Sequence, residues 1–296
     1  MSENSGISWT DHTFNPFWGC SKVSPACKHC YAADWAARWG YGWGKDAPRR
    51  FFGEKHWREP LSWNAKAQKL GTAAFVFSAS MADVFEERDG IPADTWAAMQ
   101  EARKRLWDLV EATPWLVWLL LTKRPHLVGE MVPAAWTSAP GLGWPSNAWL
   151  GATMEDQGNA STRGEALLSW PAPVHFASYE PAVEAVDFSH LLDSHGGALR
   201  RLRWVIVGGE SGSNARQFNV DWARSVVAQC RTFGAAPFVK QLGARPIDSV
   251  IRWAGPGALG TIHDKAGADP AEWPEDLRVQ ERPAPLPVRG YQGGLL

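Results

Sequence analysis

The sequence predicts an α/β protein built on a partial or closed parallel (β/α) barrel of six to seven units, with an irregular C-terminal extension. Three observations carry this. Short apolar runs that end in polar or Gly-rich turns alternate with longer stretches of helical period, the mark of repeated β-loop-α units. Strands that take turns with helices run parallel, because each helix returns the chain to the same end of the sheet. The chain has 296 residues, 45% of them hydrophobic, enough for one large domain with a substantial core.

A first short strand is expected near Ile7–Trp9, leading into a cysteine-rich loop and then a helix over Tyr31–Arg38. The second strand is Phe75–Ser78 (FVFS). A long helix follows over Ala93–Glu111, where Pro92 and Asp94 supply start signals. The third strand is Leu116–Leu121 and the fourth Trp149–Thr153, with a helix over Asp156–Ser169 behind it. The fifth strand is Val174–Ser178 and the sixth Trp204–Val207. A helix over Val220–Phe233, with Asp221 near its start, leads to the last strand, Pro237–Lys240. Two regions break the alternation. Gly129–Ser146 is rich in Pro, Gly and Trp and reads as a loop insertion, and Ala254–Leu296 is Pro/Gly-rich with little periodicity, a tail wrapped on the barrel or a partly disordered segment. The expected division is a barrel with its cysteine loop over 1–245 and the extension over 246–296.

Composition narrows the class. Thirty basic and 31 acidic residues give a formal net charge of −1, so no whole-chain field favours nucleic acid or a membrane, although a local basic patch is compatible with it. The N-terminus has no basic region followed by an apolar one, and no apolar run is long enough to span a bilayer, so a cytoplasmic protein is expected. Nineteen Trp are present; core packing is the first expectation for each, but several beside Gly and Pro are placed to wall a pocket. Of four Cys, three fall within eleven residues and Cys230 lies far along the chain, a distribution suited to a metal site in a reducing compartment.

The segment GCSKVSPACKHCYA sets Cys20, Cys27 and Cys30 in the spacing C-x6-C-x2-C. Three thiolates on one loop can hold three irons of a cubane and leave the fourth iron open to a small molecule, whereas electron-transfer cubanes recruit four Cys. Other readings stand beside this one: a Cys3His zinc site completed by His29 or His12, a fully ligated cluster completed by Cys230, or three unrelated thiols.

The cluster loop, followed by Tyr31-Ala32 and a helix, resembles radical S-adenosylmethionine (SAM) enzymes, whose usual motif is C-x3-C-x-aromatic-C on the first loop of a partial barrel; here the first gap is six residues instead of three. The whole chain to about Leu242 resembles a phage- and bacteria-associated radical-SAM-like family of unassigned function. The resemblance rests on ISWTDHTFNPFWGCSKVSPACKHCYA, FSASMADVFEE, LLLTKRP, WLGATMEDQ, FASYEPAVEAVD, WVIVGGESG and FVKQLG. It implies a 4Fe–4S cluster on Cys20, Cys27 and Cys30, bound SAM, an external electron donor, and reductive cleavage of SAM to a 5′-deoxyadenosyl radical that acts on the substrate. It implies too that His29 stands near the SAM adenine, and that the loop after the second strand, with Ser78, Ser80 or Asp83, meets the methionine amine.

Active sites of parallel barrels form from loops at the C-terminal strand ends, so polar residues directly after each run are the candidates. They are Ser78, Ser80 and Asp83; Thr122, Lys123 and Arg124; Glu155 and Asp156; Tyr179 and Glu180; Gly208, Gly209, Glu210 and Ser211; and Lys240 and Gln241. Glu155 is a candidate for the ribose hydroxyls. The cofactor-binding set is His29, Tyr31, Ser78, Ser80, Asp83, Thr153, Glu155 and Glu180, and the catalytic set is Lys123, Lys240 and Glu210. Radical SAM enzymes carry a Gly-Gly-Glu after the second strand; here it follows the sixth. Gly208 and Gly209 therefore read as permitting close backbone approach to a ligand, or as a tight strand-to-helix turn, and Glu210 as a substrate-side or adenine-side acid. Lys123, Arg124 and Lys240 would bring positive charge suited to a phosphate or carboxylate on a small molecule, a nucleotide or a nucleic-acid end. Two rival readings turn nothing over: a zinc- or cluster-stabilised nucleic-acid-binding module, and a redox-sensing Fe–S protein.

Overall fold

Seven parallel strands lie side by side in chain order in a computed structural model that describes residues 3–138, 143–193, 200–248 and 262–286. They are β1 (His12–Thr13), β2 (Ala74–Ser78), β3 (Leu116–Thr122), β4 (Ala148–Thr153), β5 (His175–Tyr179), β6 (Leu202–Gly208) and β7 (Ala236–Gln241). The sheet curls into a half-barrel, as the alternation of apolar runs and helices predicts. The long helices are α1 (Tyr31–Arg38), α2 (Glu54–Leu70), α3 (Ala93–Ala112), α4 (Gln157–Leu168) and α5 (Val220–Phe233).

The sequence expectations fail at two elements. The first strand is two residues at His12–Thr13, paired with Val76 and Phe77, and Ile7–Trp9 forms a turn instead. Helix α2 is not expected from the sequence at all. Pro60 stands inside it, where its missing N–H removes a helical bond to the His56 carbonyl. The helix survives because His56, Trp57, Pro60, Trp63 and Ala67 bury one face, and Gly71 (φ +66°) ends it in the left-handed conformation.

The concave face is filled by large rings. Phe75 and Phe77, Val117 and Leu119, Trp149, Phe176, Trp204 and Ile206, and Phe238 alternate along their strands and form one cluster with Trp9. Trp204 meets Trp149 at 6.4 Å and Phe176 at 5.6 Å between ring centres, and Trp9 meets Phe77 at 4.6 Å. This aromatic plug occupies the lower part of the half-barrel and leaves the C-terminal strand ends to polar groups. Gly151 makes room for it: a Cβ there would stand 2.4 Å from the Phe176 ring. Gly151→Ala is expected to cost about 1–3 kcal/mol by overpacking, read as a lower urea midpoint at unchanged slope.

The described part of the insertion over 129–146 packs on the core. Trp136 and Trp144 are buried in the core, and Trp144 Nε1 donates to the Ala148 carbonyl at the start of β4, the end opposite the strand ends that carry the polar groups. Trp144, one of the Trp beside Gly and Pro that could wall a pocket, is thereby corrected to a core residue; residues 139–142 lie outside the described residues.

The described part of the C-terminal extension wraps on the barrel. Val239 N donates to Val279 O (2.7 Å) and Glu281 N to Pro237 O (3.0 Å), so this segment covers the free edge of β7. Arg282 then reaches back to the Ser8 carbonyl and to Asp11, closing the gap between the last strand and the first. Trp273 and Leu277 are buried in the main core. No helix among the described residues is long and apolar enough to cross a membrane.

Candidate functional site

The cysteine loop leaves the sheet through Gly19, which requires glycine twice over: its φ is +113°, and a Cβ would stand 2.7 Å from Arg49 Cδ. Gly19 N donates to Met81 O (3.0 Å), tying the loop to the segment after β2. Cys27 lies in a short 3-10 turn, Pro25–His29, and Cys30 is the N-cap of α1, its thiol making no capping hydrogen bond. All three cysteines are free and half-buried at the C-terminal side of the sheet, the Cys20 thiol being the most enclosed.

Two buried charge networks pin the start of the loop. The Arg124 guanidinium donates to Asp83 Oδ2 (3.0 Å), Glu87 Oε2 (2.6 Å) and Ser21 Oγ (2.9 Å), with Cys20 Sγ at 3.9 Å. From the other side, Glu86 Oε1 accepts from Ser21 N and Ser21 Oγ, both at 2.7 Å, while Arg49 clasps both oxygens of Glu86 at 2.7 and 3.0 Å. Arg103 donates to the carbonyls of Glu86 and Val84. Asn15, fully buried, accepts from Met81 N and donates to Ser80 Oγ.

The thiols differ electrostatically. Burial and the Asp83 and Glu86 carboxylates push the Cys20 thiol well above the usual thiol range, against the opposing pull of Arg124 and Lys123. For Cys27 burial acts upward, but the Lys123 ammonium and hydrogen bonds from Val23 and Ser24 outweigh it, and its pKa falls below the ordinary value. In the metal-free chain Cys27 is therefore expected to alkylate with iodoacetamide at a lower pH than Cys20. Lys123→Met should move the Cys27 midpoint upward, because an ammonium favours the thiolate; an unmoved midpoint in site-resolved mass spectrometry would count against this.

The register explains how the mouth is assembled. Thr122 pairs with Ala152 and Thr153 with Ser178, so the next inward residue of β3's exit, Lys123, stands beside Thr153, and Nζ donates to Thr153 Oγ1 at 3.4 Å. One tier up, Lys240 Nζ meets Glu180 Oε1 at 2.8 Å, and Ser178 Oγ donates to Glu180 Oε2 at 3.4 Å. Lys240 follows Phe238 on the inward face of β7, and the ladder to β6 shifts register between Val239 and Gln241. His29 Nδ1 lies 3.1 Å from Glu210 Oε2, joining the cysteine loop to the exit of β6. Burial works against the Glu210 carboxylate, yet Arg216 and His29 hold its pKa below the usual range. The Tyr31 hydroxyl donates to the Ser80 carbonyl. Three of the buried side-chain atoms that make no hydrogen bond among the described residues lie at the strand ends: Ser78 Oγ at the end of β2, Glu155 Oε1 after β4, whose other oxygen accepts from Arg163 at 2.6 Å, and Glu180 Oε1, which meets the Lys240 ammonium. The Ser78–Ala79 and Glu180–Pro181 peptide bonds are cis.

Several expectations change here. Asp83 has its oxygens committed to Arg124, the Thr122 hydroxyl and the backbone N–H groups of Phe85 and Lys123, so it builds the loop instead of presenting a carboxylate. Arg124 is buried in that network and adds no substrate-facing charge, and Lys240 is offset by Glu180. Asp156 caps α4 through Asn159 N. The close approach at Gly209 is internal: a Cβ would stand 2.8 Å from Phe218 Cβ and 2.9 Å from the Leu242 carbonyl. Tyr179 faces the core. Cys230 sits in the last turn of α5, which leads to the N-terminal end of β7, so it is buried at the opposite end from the loop and is no fourth ligand; burial pushes its pKa up to about 12. His12 stacks on Trp63 at 4.5 Å. Glu86, Arg49 and Asn15 were not legible as site residues, because their partners are distant in sequence; Arg163 and Arg216 were not, because their partners Glu155 and Glu210, though only eight and six positions away, form no motif that marks them.

Fold and site together define a parallel half-barrel protein with a three-cysteine loop at its C-terminal face. The chain belongs to the family described as protein of unknown function (DUF5131), whose model matches residues 4–269. The match runs beyond Leu242, where the resemblance in the sequence ends, and takes in part of the wrapped extension. Among solved structures, the chain is similar to a mutant spore photoproduct lyase with bound AdoMet and dinucleoside spore photoproduct, at 10% identity and a TM-score of 0.41, over 76% of this chain. It spans 62% of that chain's length. No curated protein gives a significant match.

Proposed function

We propose that this protein is a radical SAM enzyme acting on a nucleotide or nucleic-acid base. The observation that carries the reading is the position of Cys20, Cys27 and Cys30: three free thiols on one loop, at the strand ends where parallel barrels build active sites, with the fourth Cys at the other end of the molecule. Among the described residues no three Cys, His, Asp or Glu side chains converge on one point, so the fit is one of donor chemistry: soft sulfur donors, with Lys123 and Arg124 beside them to offset thiolate charge. The polar mouth fits SAM in kind. Ser78 Oγ and Glu155 Oε1 are buried groups in need of a partner, and Tyr31 and His29 offer flat surfaces next to the loop.

Cys20, Cys27 and Cys30 would hold such a cluster, which together with bound SAM would supply one-electron reductive cleavage and hydrogen-atom abstraction from the substrate. The chain's own residues position and exclude. The aromatic plug closes the lower barrel to water, the Arg124 and Glu86 networks fix the start of the loop, and Lys123 holds a positive charge at Thr153. Glu210, held ionised by Arg216 and His29, is an acceptor at the mouth.

The test uses anaerobically reconstituted protein: iron and sulfide content, and the EPR spectrum of the dithionite-reduced form with and without SAM. About four irons per chain, a signal that shifts with SAM, and release of 5′-deoxyadenosine are expected. Zinc in place of iron, or a signal indifferent to SAM, would sink the enzyme reading.

A further inference from the structure

Five large rings near the cysteine loop, Trp18, Trp35, Trp39, Tyr41 and Phe52, stand outside the plug. Trp18 and Arg50 pair across a two-residue antiparallel ladder, Phe17–Trp18 with Arg50–Phe51, directly before the loop. The Arg50 guanidinium lies over three rings at once, 4.6 Å from Trp18, 5.0 Å from Tyr41 and 5.6 Å from Phe52. Trp35, on α1, meets Trp18 at 5.0 Å and Trp39 at 6.0 Å. The outer members are open to solvent: Trp39 is 67% exposed and Tyr41 45%. Beside Tyr41 runs a groove of about 120 Å³ lined in part by Trp18, Tyr41 and Arg50, and Gly19, next to Cys20, also lines it. The patch is thus continuous with the loop that carries the thiols.

A contiguous exposed aromatic patch marks a binding surface, and its chemistry selects the partner. Arginine interleaved with aromatic rings suits a chain whose units present π-faces and whose backbone is anionic. The local charge agrees. Leaving aside Arg49 and Lys45, which pair with Glu86 and Asp89, residues 20–52 carry Lys22, Lys28, Arg38 and Arg50 against Asp34 and Asp46, an excess of positive charge on a chain whose net charge is −1. A duplex hides its base faces within the stack, whereas a single strand can lay them on the rings.

We propose that Trp18, Trp35, Trp39, Tyr41, Arg50 and Phe52 form a docking surface for a single-stranded polynucleotide, and that the substrate is a base carried in such a strand. The second half rests on the enzyme reading above; the docking surface does not. The surface brings the strand to the cysteine loop from the α1 side, and the target base enters the mouth between Lys123 and Glu210.

The experiment is fluorescence anisotropy of short labelled oligothymidylate and oligouridylate, and of a matching duplex, titrated with the reconstituted full chain at two salt concentrations. Single strands are expected to bind at least about tenfold more tightly than duplex, with binding weakened by salt. Trp39→Ala and Tyr41→Ala should each weaken it roughly five- to a hundredfold, while Tyr41→Phe, which keeps the ring, binds like the parent. Circular dichroism on the same samples establishes that the variants are folded. Equal affinity for duplex and single strand, or full affinity in both alanine variants, would overturn the proposal. So would a concentration-dependent dimer that Trp39→Ala dissociates in a chain that binds no oligonucleotide. SAM cleavage is scored separately: a chain that cleaves SAM without binding strands refutes only this inference, and one that binds strands without cleaving SAM refutes only the enzyme reading.

Discussion

Glu86→Gln is expected to lower stability by about 3–5 kcal/mol, because it leaves the Arg49 guanidinium buried without its counter-charge. Glu86 is fully buried and Arg49 nearly so, and the pair shares two hydrogen bonds, so solvent cannot replace what the substitution removes. The same carboxylate holds Ser21 by its backbone N–H and its hydroxyl, and Ser21 follows Cys20. The change should therefore shift the denaturant midpoint and also speed loss of iron to a chelator from reconstituted protein. A double variant, Arg49→Met with Glu86→Leu, removes both charges and should recover much of the stability while leaving Ser21 unheld. Recovery of iron retention along with stability would show that Glu86 acts on the fold alone and does not position the loop.

That network also shows where sequence reading stops. The interior strands are legible because parallel strands buried on both faces read as short apolar runs; β3 (Leu116–Thr122) is the clearest case. Helices α1 and α5 are legible to the residue from their period and flanking signals. Strand β1 is not, since two residues carry no period and exist as a strand only through pairing with Val76 and Phe77. Helix α2 is hidden by Pro60 and by a polar composition that masks the buried Trp57 and Trp63. At the site, the cysteines are legible because their spacing is local. The Glu86–Arg49 pair spans 37 positions, and Asp83 meets Arg124 across 41; such charges look like solvated loop residues until the fold brings them together. Strand-end polar residues thus split into two kinds that sequence cannot separate. Lys123, Thr153, Glu180 and Lys240 face the mouth, while Asp83, Arg124 and Asp156 build the loops behind it.

Replacing any one of Cys20, Cys27 or Cys30 with Ser is expected to reduce reconstituted iron from about four per chain to well below one, the largest effect any single substitution should have on the cofactor. The argument turns on how few donors there are. A cubane held by three thiolates has no spare sulfur, and Cys230, in the last turn of α5 at the far end of the barrel, cannot replace one without dismantling the helix that carries it. Cys230→Ala should accordingly leave iron and the SAM-dependent EPR shift intact, at a modest cost in stability from the small cavity it opens. If Cys230→Ala loses its iron while remaining folded, the cluster has four protein ligands and no open iron for SAM. If instead the three loop variants keep full iron, the metal is held elsewhere and the loop's position at the barrel mouth has another purpose. Only loss in all three, with retention in Cys230→Ala, leaves one iron free to bind a small molecule, which is the property that separates an enzyme of this kind from a cluster that merely carries electrons.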